Sequence, residues 1–147
     1  MVTSNAGLAA WEIKHARLLR KGSVGAADAR EKLDLARRNL QRARESLDRQ
    51  DDDQALIHAE TAMVNAADAV LAAHGYRLRG KTGSHEARLE CPLLPPGFTA
   101  AHNDIEAARD LRNTAMYDRL GAVSPQVALD VTEAADRLVA AAEPLVR

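Results

Sequence analysis

Residues 54–74 read Gln-Ala-Leu-Ile-His-Ala-Glu-Thr-Ala-Met-Val-Asn-Ala-Ala-Asp-Ala-Val-Leu-Ala-Ala-His, and this stretch decides the fold. Leu56, Ala59, Met63, Ala66, Val70 and Ala73 recur at three- and four-residue spacing, which marks one face of an α-helix. Ala62, Ala67, Ala69 and Leu71 spread the apolar surface beyond that face, so the helix is expected at the centre of the molecule. Asp51-Asp52-Asp53 precedes it. No further ligands follow at EF-hand spacing, and three acids suit a helix N-terminus, where negative charge is favoured. Gly75 closes the run in the place of a left-handed C-cap.

Working outward, Leu33, Ala36, Leu40, Ala43 and Leu47 place a second apolar seam on a helix from about residue 25 to 49. Its other face is dense in Arg, Glu and Asp and reads as solvated. A short leading helix is expected over about residues 6–20, with Leu8, Trp11 and Leu18 on one stripe, ended by Lys21-Gly22-Ser23. Downstream, a basic stretch Tyr76–Gly83 leads to Ser84 as N-cap of a brief helix that stops before Pro92. Pro95-Pro96-Gly97 forces a turn. A third long helix is expected over Phe98–Leu120, ended by Gly121. Ser124-Pro125, a cap followed by proline at the first position, opens a fourth helix to about Leu145. β-Branched residues never alternate, so no strand is expected. These connections predict an all-α, antiparallel, up-and-down four-helix bundle. It carries a short extra N-terminal helix and a short helix between the second and third long ones. Residues 1–24 read as an extension and 25–147 as the bundle.

The 147 residues fit one domain, and 46% hydrophobic content supports a real core. Aromatics are 3%, so that core must be built of Ala, Leu and Val. A formal net charge of −1 gives no global field toward nucleic acid, so any polyanion site is a local patch. The single Cys91 excludes an intrachain disulfide, and the five histidines show no paired ligand spacing. Neither a metal nor a cofactor is expected. No signal-peptide pattern opens the chain and no apolar run is long enough to span a bilayer, which predicts a cytoplasmic, bacterial-type protein without a membrane partner.

The third helix breaks its own pattern. At 100° per residue, Phe98, Ala101, Ile105, Ala108, Ala115 and Met116 share an apolar face, and Arg112 falls in it, between Ile105 and Ala108. Desolvating a guanidinium costs several kcal/mol, on the order of the relaxed Born penalty, unless an anion meets it. Glu60 and Asp68 on the central helix are the candidate partners, with Asp68 favoured. Beside Arg112, His102, Glu106, Arg109, Asn113 and Tyr117 form a polar stripe within about 80°. Such a stripe is either a solvated face with intrahelical pairs such as Glu106–Arg109, or a site. Arg112 itself is either a register-fixing ion pair or a guanidinium held ready for a phosphate.

The string Arg112-Asn113-Thr114-Ala115-Met116-Tyr117-Asp118 resembles the signature of HEPN domains. The family's ribonucleases carry Arg, a polar residue, three variable residues and then His near the end of the third helix. His58-Ala59-Glu60, Ala72-Ala73-His74-Gly75-Tyr76-Arg77 and Ser84-His85 are also similar to that family, over roughly residues 26–145. The resemblance implies a helical bundle, a homodimer whose two motifs meet in one cleft, and phosphate-directed roles for Arg112 and Asn113.

One position departs from the pattern: Tyr117 stands where the ribonucleases have His. An imidazole titrating near pH 6.5 can take a proton from a ribose 2′-hydroxyl; a phenol with a pKa near 10 is a poor base at neutral pH. His102 lies about 22 Å along the helix from Tyr117 at ~1.5 Å per residue and cannot replace that imidazole in place. His85 lies on the short helix. Arg77, Arg79 and Lys81, with Tyr76, either neutralise and stack on RNA or complement a helix dipole. Three functions follow in order: a regulatory or RNA- or partner-binding HEPN-like dimer in a toxin–antitoxin or defence setting, a metal-independent ribonuclease using Arg112, and a non-enzymatic helical scaffold.

Overall fold

The computed structural model describes residues 5–21, 25–80, 82–100, 102–117 and 121–146. Helix α1 spans Asn5–Lys14, followed by a 3-10 turn at Ala16–Leu18 and strand β1, Leu19–Lys21. The long helices α2 (Ala26–Asp48) and α3 (Asp52–Ala73) form a hairpin, and strand β2 (Tyr76–Leu78) follows. Short helices α4 (Ser84–Leu89) and α5 (Pro96–Ala100) lead to α6 (His102–Tyr117) and α7 (Pro125–Ala142), with a closing 3-10 turn at Glu143–Leu145.

Local chemistry sets the helix ends. The Asp51 carboxylate accepts the N–H of Gln54 at 3.3 Å, and Ser124 Oγ accepts that of Val127 at 3.2 Å. Gly75 takes the left-handed conformation, φ 83°, that lets the chain leave α3. The expected cap at Ser84 lies one residue earlier: Gly83, at φ 93°, is the N-cap and Ser84 is the first helical residue.

The four long helices run up-down-up-down. Arg37 meets Glu143 and Arg44 meets Asp136, so α2 and α7 are antiparallel. Leu56 packs with Ala115 near one end of α3, and Met63 with Ile105 further along, so α3 and α6 are antiparallel too. Asp53 accepts the N–H groups of Gly121 at 2.7 Å and Val123 at 3.2 Å, tying the start of α3 to the chain entering α7. Helix α3 packs on α2, α6 and α7 and is the centre of the bundle. Ala55, Ala59, Ala62, Ala66 and Ala69 on α3, with Ala128, Ala135 and Ala142 on α7, are wholly buried, and small side chains permit that close approach.

Phe98 lies on α5, which is described up to residue 100, and α6 from residue 102; residues 101 and 118–120, on which the bounds of the expected third helix depend, lie outside the described residues. Two expectations change. The leading helix ends at Lys14. The chain instead forms a two-stranded antiparallel ribbon, pairing Leu19 with Leu78, Arg20 with Arg77 and Lys21 with Tyr76. Three-residue strands are too short to show an alternating pattern in sequence.

The N-terminal helix is docked on the bundle. Trp11 is buried, donates from Nε1 to the Ala87 carbonyl at 2.8 Å, and stands edge-on to Tyr76 with centroids 5.4 Å apart. The Tyr76 hydroxyl donates to Glu12, and its pKa is pushed up to about 12 by burial and that bond. Lys14 and His15 both meet the Glu90 carboxylate, at 3.0 and 2.8 Å.

Candidate functional site

Ile105 and Ala108 on α6 are buried against α3, and Arg112 continues their line one turn later. Its guanidinium reaches Glu60 on α3, with Nε 3.2 Å from Oε2. The Glu60 side chain is 5% exposed and that of Arg112 28%. The contact is an ion pair without hydrogen-bond alignment: Arg112 Nε is shielded from solvent and has no hydrogen-bond acceptor. Arg112 Nη1 donates to Asn113 Oδ1 at 3.4 Å, a long bond.

Burial pushes the Glu60 carboxyl above its ordinary range, while Arg112, Arg109 and Arg88 pull it back. Arg112 contacts this buried carboxylate directly; Arg109 on the same helix and Arg88 on α4 act on it through their charge. Asp68, two turns further along α3, is not the partner of Arg112. Arg88 of α4 holds it, from Nε at 2.7 Å and Nη2 at 3.5 Å. Sequence reasoning passed over Arg88 because α4 is a six-residue helix whose place against α3 is set by long-range packing.

The remaining candidates divide. Arg109 and Glu106 are exposed on α6, Asn113 is half-buried and Tyr117 is 75% exposed, beside an exposed Met116. The His102 side chain lies outside the described residues, as does Lys81. His85 is half-buried and lines a small gap with Met63, Ala67, Arg88, Phe98 and Ile105, between α3, α4, α5 and α6. Arg77 and Arg79 are exposed on and beside β2, at the far end of α3. From Glu60 to the end of α3 is about 20 Å at ~1.5 Å per residue. Tyr76 is buried and has no free face for stacking on a base. The structure thus joins Arg112 to Glu60 and Asn113, and Arg88 to Asp68, with Arg109 exposed one turn before Arg112 on α6 and His85 one turn before Arg88 on α4; Arg77 and Arg79 lie toward the far end of α3.

Chemically, this cluster carries one more positive than negative charge and presents planar donor forks suited to phosphate or carboxylate oxygens. Among the described residues no group of His, Cys, Asp and Glu is arranged to hold a metal, and no helix is long and apolar enough to cross a membrane.

Comparison with curated proteins gives no match. The family model of the HEPN domain matches residues 29–145, from the first turn of α2 to the closing 3-10 turn, and takes in every residue of the cluster. A match over most of the length, on a helical bundle with Arg112 beside Glu60, places this chain in the HEPN domain family.

Proposed function

We propose that this protein is a homodimer that binds RNA through the Arg112 face of α6 in a regulatory role within a toxin–antitoxin or defence setting, in the cytoplasm of a bacterium, without efficient cleavage. The observation that supports binding is the state of Arg112. Its guanidinium is neutralised on one side by a buried Glu60, has no aligned acceptor at Nε, and is still 28% exposed beside Arg109 and Asn113. A purely structural arginine would use its donors inside the fold. The observation that argues against catalysis is Tyr117, a solvent-exposed phenol at the position of the family's imidazole. The adjacent exposed Met116 and Tyr117 supply an apolar end to α6 that a second copy can cover, bringing the two Arg112–Tyr117 segments near the two-fold axis.

The test is binding of a fluorescein-labelled, unstructured single-stranded RNA, read by anisotropy, with the RNA recovered and sized on a gel. The natural protein is expected to bind and leave the RNA intact, and Arg112→Ala to weaken binding at least tenfold. Efficient cleavage that Arg112→Ala abolishes selects the ribonuclease function. Unchanged binding with a lowered melting temperature makes Glu60–Arg112 a structural pair, the reading its 5% exposed carboxylate favours. Light scattering at one chain mass overturns the dimer.

A further inference from the structure

The β1–β2 ribbon brings together two basic segments that lie far apart in sequence. Residues 17–21 read Arg-Leu-Leu-Arg-Lys and residues 77–81 Arg-Leu-Arg-Gly-Lys: six cations and no acid. Strand pairing sets Arg20 directly opposite Arg77, and the Arg79 N–H donates to the Leu18 carbonyl at 2.7 Å, extending the contact beyond the strands. Alternation along the strands separates two faces. Leu19 and Leu78 pair on the inner face and pack against the core. Arg20 and Arg77 pair on the outer face, both exposed, flanked by exposed Arg17 and Arg79. None of these four arginines has an ion-pair partner among the described residues.

Like charges directly opposite each other on a ribbon are destabilising. The fold needs the Leu19–Leu78 pair and the buried Tyr76; Arg77 borders a pocket with Asp28, Glu31 and Asp68 but forms no ion pair with them, so the facing arginines are not neutralised by a direct contact. A polyanion resolves the repulsion, because each neutralised phosphate releases its counterions. The outer face shows neither an aromatic ring for base stacking nor an aliphatic side chain for insertion into a bilayer, since Tyr76, Leu19 and Leu78 are turned inward.

We propose that the outer face of the β1–β2 ribbon, Arg20 and Arg77 with Arg79 beside them and Arg17 in the turn before β1, is a second contact surface for the phosphate backbone of single-stranded RNA, sequence-independent and about 20 Å along α3 from Glu60 at ~1.5 Å per residue. The proposal deepens the RNA-binding reading of the Arg112 face, and the two can fail separately.

The experiment measures binding of a labelled 20-nucleotide oligouridine across a range of salt concentrations for the natural protein, the double variant Arg20→Gln/Arg77→Gln, and Arg112→Ala. Each phosphate contact on a single strand contributes about −0.7 to the slope of log K against log salt. The double variant is expected to bind at least tenfold more weakly, with the slope reduced by about 1.4 for two lost contacts. Its melting temperature without RNA is expected to equal or exceed that of the natural protein at low salt, because a repulsion has been removed. Weaker binding by Arg112→Ala with no change in the double variant overturns the ribbon and leaves the Arg112 face standing. Weaker binding by the double variant with no change in Arg112→Ala does the reverse. A melting temperature several degrees lower in the double variant makes the arginines structural and overturns the ribbon. So does absence of RNA binding, whether or not the natural protein binds phosphatidylserine vesicles.

Discussion

Glu60 on α3 and Arg112 on α6 form an ion pair, Oε2 to Nε at 3.2 Å, in which the carboxylate is buried and the guanidinium straddles the surface. The two partners therefore do not need each other equally. Removing Arg112 strands a desolvated negative charge, whereas removing the charge of Glu60 leaves an arginine that water can still reach. Arg112→Ala is expected to cost about 2–3 kcal/mol, at or below the range for losing one member of a fully buried pair. Adding Glu60→Gln to it should recover most of that loss. Urea unfolding of the four members of the cycle measures the coupling; additive losses would show that the pair does not act as a unit.

The same burial gives a pH signature. Glu60 is raised above its ordinary value of 4.5, mainly by burial, so its contribution to stability is fully present below that value and is lost as the pH rises through its folded pKa. Glu90 is lowered, first by its bond from Lys14 and then by that from His15, so its contribution is present above its ordinary value and is lost as the pH falls through its folded pKa. Acidifying toward the ordinary carboxyl value of 4.5 is therefore expected to add stability through Glu60, against the loss through His58, whose imidazole burial holds below its ordinary range, and further acidification to remove stability through Glu90. Glu60→Gln should flatten the first limb and Glu90→Gln the second. A natural protein whose first limb survives Glu60→Gln unchanged would assign that limb to another group.

The docked N-terminus predicts that residues 5–21 belong to the cooperative unit. Trp11 contributes a buried ring, an edge contact to Tyr76 and a bond to the Ala87 carbonyl. Trp11→Ala is expected to destabilise by about 3–5 kcal/mol. Trp11→Phe, which keeps a ring and loses the donor, should cost on the order of 1–2 kcal/mol. Single transitions that coincide in indole fluorescence and circular dichroism would show one unit; an early fluorescence change would show that α1 detaches alone.

What the sequence made legible was whatever repeats or caps locally. The seams at Leu33–Leu47 and Leu56–Val70 announced α2 and α3, and Asp51 and Gly75 marked the ends of α3, and Ser124 the start of α7, by chemistry that needs no partner beyond a few residues away. Arg112 was visible because it interrupts such a seam. Its partner was not: Glu60 and Asp68 stand two turns apart on one helix, and the choice between them depended on Arg88 arriving from α4. The ribbon was equally hidden, because Arg20 and Arg77 are 57 positions apart and meet through backbone pairing that leaves no side-chain period in three residues.

The last prediction concerns Tyr117, exposed on α6 five positions after Arg112. If the cluster holds a phosphate and the chain lacks only a base of suitable pKa, Tyr117→His restores a group that titrates near pH 6.5 at the family's position. Cleavage of single-stranded RNA by this variant is expected to exceed that of the natural protein by about 10²-fold, the lower end of general-base catalysis. Its rate should rise with pH through the imidazole pKa. The exposure of the side chain makes the substitution gentle, so a change in activity will not be confounded by unfolding. Combining it with Arg112→Ala should abolish the gain, because the phosphate then loses its cation. Activity that appears in Tyr117→His and survives Arg112→Ala would mean that the new imidazole works without the guanidinium, and the Arg112 face would not be the phosphate site.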